Sequence, residues 1–156
     1  MEDKYRKLRP WPETSAEERC DCKNVEGIYL AYKFCSNPIN CLECDGEIAP
    51  ESLSLSETAV DAIATWNAVF GSLFTLWIES GEYEEWAKEQ LLSSTGQVNE
   101  QGLNICRNLL NPNLAYYLWF YTEPDTRPDR CPCCNIEFSL TSWNNRLACH
   151  ACRIIV

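Results

Sequence analysis

Residues 131–156 read CPCCNIEFSLTSWNNRLACHACRIIV. Cys131 and Cys134 form one CxxC pair and Cys149 and Cys152 a second, with 14 residues between them. Tetrahedral zinc takes four soft ligands at about 2.3 Å, and a CxxC turn places two sulfurs on one side of the ion. A second turn closes the tetrahedron if a hairpin returns the chain. Asn144-Asn145, between FSLTSW and RLAC, is where that hairpin should turn. Cys131, Cys134, Cys149 and Cys152 are therefore the expected ligands of a C-terminal zinc ribbon. Cys133 is the surplus thiol, because adjacent residues cannot share one ion comfortably.

A second cysteine cluster lies upstream in CDCKNVEGIYLAYKFCSNPINCLECDGEIAP, residues 20–50. Cys41-x-x-Cys44 is a regular metal turn; Cys20-x-Cys22 is one residue shorter. Eighteen residues separate the pairs, within the range of a zinc ribbon. The spacing favours a second zinc on Cys20, Cys22, Cys41 and Cys44, with Cys22, Cys35, Cys41 and Cys44 or a metal-free cluster as alternatives. Between the pairs, Ile28, Leu30, Tyr32 and Phe34 alternate with Tyr29, Ala31 and Lys33, a strand pattern. Four thiolates leave no open position for water or substrate, so both sites read as structural. Iron suits such a ligand set as well as zinc does.

The region between the clusters reads as helical. Ser56 is a cap for a helix whose Val60, Ile63, Asn67, Phe70, Phe74 and Trp77 recur at spacings of three and four until Gly81. EYEEWAKEQLL and TGQVNEQGLNICRNLL predict two more helices, the last ended by Pro112 and carrying Cys106 on its core side. LAYYLWFY, residues 114–121, predicts a buried aromatic strand, and EPDTRPDR a linker. The chain thus divides into an irregular arm (1–19) ordered by Tyr5, Leu8 and Trp11, a ribbon-like element (20–50), a helical acidic region with its aromatic strand (51–122) and the C-terminal ribbon (123–156). The expected class is α+β, a helical centre flanked by two small zinc-ribbon-like β elements.

At 156 residues the chain suits one domain with at most a small appendage. No run approaches the roughly 18 apolar residues of a membrane span, and the N-terminus has no apolar core of a secretory signal. The expectation is a cytoplasmic protein whose 11 cysteines meet a reducing compartment, where paired cysteines bind metal rather than form disulfides. Residues 1–40 balance seven acids against seven bases. Residues 41–106 hold twelve acids and one base, Lys88, and residues 107–156 four acids and five arginines. The net charge of −10 is therefore centred on the middle third.

Nothing in the residues suggests catalysis. His150, the single histidine, lies inside a cysteine turn, and the six glycines form no phosphate loop. The order of features, with CLECDGEIAP, LWIESGEYEEWAKEQL, VNEQGLNICRNL, AYYLW and the closing CPCC…CHACRIIV, resembles an uncharacterised bacterial family described as zinc-ribbon-containing, with a suggested nucleic-acid-binding role. The resemblance implies Cys131, Cys134, Cys149 and Cys152 as ribbon ligands and Cys41 with Cys44 as an upstream pair. It departs at the CDC spelling of residues 20–22 and at Asn135, where the family commonly has glycine.

A nucleic-acid binder normally carries a basic patch. Here only KYRKLR (4–9) and Arg127, Arg130, Arg146 and Arg153 offer one, against a strongly acidic segment. The charge suits instead the covering of a positive site on a basic protein, as an immunity or antitoxin-type inhibitor covers a toxin domain. Glu79, Glu82, Glu84, Glu85 and Glu89, with Glu43, Asp45 and Glu47, are the expected contact groups. A zinc-ribbon nucleic-acid regulator and a scaffold subunit of a larger assembly are the alternatives.

Overall fold

The computed structural model describes residues 3–34, 37–110 and 114–156. Cys35 and Pro112 lie outside the described residues. Six short strands, β1 (Ile28–Leu30), β2 (Ile39–Cys41), β3 (Ala115–Leu118), β4 (Ser139–Leu140), β5 (Leu147–Cys149) and β6 (Ile154–Ile155), form one sheet in the order β2-β1-β3-β6-β5-β4. β3 pairs in parallel with both β1 and β6, and the remaining pairs are antiparallel. The two cysteine-rich elements are thus not separate appendages. The aromatic strand from the central region joins them into one continuous sheet.

One face of this sheet carries the helices. α1 (Glu57–Glu79) begins where the Ser56 Oγ accepts the Ala59 N–H at 3.1 Å and stops at Gly81, whose φ of 69° ends the helical path. Its buried stripe is Ala59, Val60, Ile63, Trp66, Phe70 and Leu73. Compared with the sequence expectation, the stripe is rotated toward Trp66 and Leu73, leaving Phe74 and Trp77 at its edge in an aromatic cluster with Phe120. By length and composition α1 also meets the test for a membrane-crossing helix, with a mean hydropathy of 1.3, but it carries a core stripe packed on the sheet. α2 (Glu84–Leu92) and α3 (Gln97–Asn104) follow, and α3 runs on into a π turn over Ile105–Leu109.

A buried polar knot fixes α1, α2 and α3 to the sheet. Trp66 Nε1 donates to the Val98 carbonyl at 3.1 Å, and the Tyr117 hydroxyl donates to Asn99 Oδ1 at 2.8 Å. Asn99 Nδ2 in turn donates to the Leu91 and Ser93 carbonyls. Gly102 lets α3 lie against this knot: a Cβ there would come within 2.3 Å of Tyr117 Cε2 and 2.9 Å of Trp66 Nε1. Gly102→Ala should therefore lower stability by about 1–3 kcal/mol, outweighing the ~1 kcal/mol gain in helix propensity. Urea denaturation measures the sign.

β1 is shorter than the alternation of residues 28–34 predicts, and both of its faces are covered. Ile28 and Leu30 enter the core under the helices, whereas Tyr29 joins Leu42, Tyr116, Ala148 and Ile155 on the opposite face. In the N-terminal arm, Leu8 is buried and Tyr5 packs beside it. Trp11 does not help order the arm, being 94% exposed. Ion pairs of Lys7 with Asp61 and of Arg9 with Asp3 and Glu51 hold the arm instead.

Candidate metal centres and the acidic face

Each cysteine cluster is assembled by backbone geometry the sequence specifies locally. In the first, the Asp45 N–H donates to the Cys41 carbonyl at 3.0 Å and Cys41 N–H to the Gly46 carbonyl at 2.9 Å. In the second, the Asn135 N–H donates to the Cys131 carbonyl at 2.8 Å and Cys131 N–H to the Ile136 carbonyl at 2.9 Å. The residue after each CxxC has a left-handed φ of 60°: Asp45, Asn135 and Arg153. Asn and Asp tolerate that region, so Asn135 serves where glycine is common. Asn144 and Asn145, at φ 40° and 59°, make the hairpin turn between β4 and β5.

The sulfurs of Cys20, Cys22, Cys41 and Cys44 all lie within 4.8 Å of one another, and so do those of Cys131, Cys134, Cys149 and Cys152. Cys41 Sγ is 4.0 Å from Cys22 Sγ, and Cys134 Sγ 3.6 Å from Cys149 Sγ. A tetrahedron of sulfurs at about 2.3 Å from a zinc ion has edges of about 3.8 Å, so both sets fit the ion. They are too far apart for disulfides, whose sulfurs are about 2.05 Å apart. The short CDC pair is therefore a competent half-site, and the eight sequence-predicted ligands meet as two sets of four. Cys133 is exposed and lies outside both sets, while Cys106 is a core residue whose Sγ lies 3.2 Å from the Tyr116 carbonyl oxygen.

Without metal the thiols are unevenly poised. The Ile136 backbone N–H pulls Cys134 down to about 7, whereas burial pushes Cys20 up to about 11. Metal binding deprotonates all four thiols of a set.

A polar clamp that the sequence reading missed ties the β4–β5 hairpin to the first metal turn. Arg146 Nη2 donates to Asp45 Oδ1 at 2.7 Å, beside the Tyr29 hydroxyl, which donates to the same oxygen at 3.0 Å. Asn144 Nδ2 donates to the Glu43 carbonyl at 2.8 Å and to Asp45 Oδ2 at 3.0 Å. The β4–β5 hairpin, at one end of the strand order, therefore touches the cysteine turn that follows β2 at the other end. Burial would raise the Asp45 pKa, but the Arg146 guanidinium holds it below the ordinary carboxylate range. The one sequence signal was an acid directly after a metal turn, which charge counting alone assigns to solvent.

The acids named from sequence thus separate into two groups. Asp45 is engaged in the clamp, and Glu47 accepts from the Thr14 hydroxyl and the Asn37 N–H. Glu85 pairs with Lys88, and Glu84 accepts from the Gly81 N–H. Glu79, Glu82 and Glu89 are exposed around the corner between α1 and α2, with Glu43 exposed on the first metal turn. At the helical corner stand two large aromatic side chains, Tyr83 and Trp86, each 52% exposed.

The arginines that a nucleic-acid contact would need are engaged within the chain. Arg127 donates to the Val156 and Asn145 carbonyls, and Arg130 to the Asn135 carbonyl and Glu137. Arg146 is in the clamp, and Arg153 lies over the Tyr116 ring. Arg107 donates to the Cys152 carbonyl. The chain matches no protein-family model, no curated protein and no solved structure. The likeness to the zinc-ribbon family therefore rests on the quoted residues alone.

Proposed function

We propose that this protein is a non-enzymatic binding protein, braced by two four-cysteine metal centres, that neutralises a basic protein partner in the manner of an immunity or antitoxin-type inhibitor. The observation that carries this reading is the corner between α1 and α2, where exposed Tyr83 and Trp86 stand among Glu79, Glu82 and Glu89. Large aromatic anchors ringed by charge are the features that dominate protein interfaces. Unpaired carboxylates speed the approach of a basic surface and fix its register. The ribbon arginines, each engaged with a carbonyl, a carboxylate or an aromatic ring, favour this reading over a phosphate contact.

A tagged pull-down from source-cell lysate, with and without nuclease, tests it. The expected result is a stoichiometric basic protein that survives nuclease and whose activity falls when this chain is added. Recovery of RNA or DNA, with protein partners lost after nuclease, would favour the ribbon as a nucleic-acid module.

A further inference from the structure

Among the described residues three asparagines are buried, and two of them use both ends of their amides. Asn37 Nδ2 donates to the Ile48 carbonyl, and its Oδ1 accepts from the Ile39 N–H. Asn99 donates twice and accepts from Tyr117. Asn40 has a partner on neither Oδ1 nor Nδ2 among the described residues. Buried polar atoms are ordinarily paired, and an unpaired one calls for an explanation such as an ordered water, an ion or a ligand. Asn40 sits in β2 between Ile39 and Cys41, which enter the core beneath the helices. Its side chain therefore faces the other way, toward a pocket of about 390 Å³ between the arm, Lys33 and the first metal turn, with both amide atoms shut from solvent as the side chains now lie.

The pocket's charge selects a cation. Of its ionisable groups, Asp45 is paired with Arg146 and Arg19 with Glu13. Glu17, Glu18, Asp21 and Glu47 remain against Lys33 alone. Cys44 also lines it, and four thiolates around a divalent ion leave that centre with a further net negative charge. Lys33 shows where a cation rests: its ammonium donates to the Asp45 carbonyl at 3.2 Å and lies 5.5 Å from the Tyr29 ring centroid. Tyr29 is the residue paired with Asn40 across the strands.

We propose that this pocket receives an arginine side chain of the basic partner, whose guanidinium displaces the Lys33 ammonium, donates to the Glu47 carboxylate and, once Lys33 has moved aside, to the otherwise closed Asn40 Oδ1. A planar guanidinium reaches two acceptors at once, which a lysine ammonium does less well. Only the source of the arginine rests on the protein-partner reading; the selection of a cation follows from the pocket itself.

The test is an NMR titration of the ¹⁵N-labelled, zinc-loaded full chain with N-acetyl-arginine methylamide and with its neutral citrulline counterpart. Saturable shifts of the Asn40 side-chain amide are expected with arginine, at least about tenfold weaker with citrulline, since a charged hydrogen bond is replaced by neutral ones. Lys33→Ala should tighten binding by removing the competing ammonium. Asn40→Leu keeps the side-chain skeleton and should abolish binding while raising Tm, because the unpaired amide is gone. No saturable shift at Asn40, or equal affinity for citrulline, overturns the assignment. If arginine binds here yet the chain captures no basic protein, the partner reading falls and the pocket stands. If a basic partner is captured and binds Asn40→Leu and Lys33→Ala chains as it binds the native one, the pocket assignment falls alone.

Discussion

A Cys149→Ala chain should show no cooperative thermal transition at 25 °C or above, even with zinc in excess. Cys149 is at once a ligand of the second set and a strand residue of β5, paired with Ile154 of β6. β6 in turn pairs with β3, the strand that joins the two halves of the sheet. Structural zinc binding contributes about 10–16 kcal/mol in small domains, and a whole domain is stable by only about 5–15 kcal/mol. The whole site is thus worth as much as the net stability, and losing one of its four ligands gives up a large share of it. Cys106→Ala is the control. Its thiol is equally buried but belongs to neither set, so it should cost no more than an ordinary core truncation, on the order of 1–3 kcal/mol, with the transition kept. Calorimetry of the two zinc-loaded variants gives the comparison, and similar losses in both would mean that Cys149 acts only by packing.

The second large effect is on binding. Glu79→Lys, Glu82→Lys and Glu89→Lys together should weaken the basic partner's affinity by about a thousandfold, since close interfacial charge pairs couple by about 1.5–7 kcal/mol. Salt should then no longer weaken the complex, because the attraction it screens has been reversed. Trp86→Ala alone should cost 2 kcal/mol or more, roughly thirtyfold, if it is a central anchor. All four side chains are exposed, so circular dichroism should show the native fold. Titration calorimetry at two salt concentrations reads both effects. An unchanged affinity in the triple variant would remove this corner from the interface.

Local rules made much of this architecture legible in the sequence. The Ser56 cap, the Gly81 stop and the Asn144-Asn145 turn each depend on a few neighbouring residues, and each stands where the pattern placed it. Spacing favoured both four-cysteine groups that come together, with the upstream one left open against a set that uses Cys35, because paired ligands at fixed spacing constrain the chain more tightly than propensity does. The union of the two ribbons was not readable. It depends on β3 pairing in parallel with strands that lie more than thirty residues away on either side, and periodicity carries no information about such partners. The internal engagement of Asp45 and of the ribbon arginines was hidden for the same reason: a charge count cannot tell a solvated carboxylate from one held by Arg146 on a hairpin a hundred residues later. Trp11 misled in the opposite sense, since a large apolar residue in the arm reads as an anchor and is exposed here.

The claim on which the rest depends is that two four-thiolate metal centres close one sheet, which then holds the acidic corner in place. Native mass spectrometry of the chain purified without added metal tests it most directly, with circular dichroism on the same sample. The account predicts two divalent ions per chain, zinc or iron by mass, and loss of the folded signal when a chelator strips them. A folded chain that carries one ion or none would contradict it.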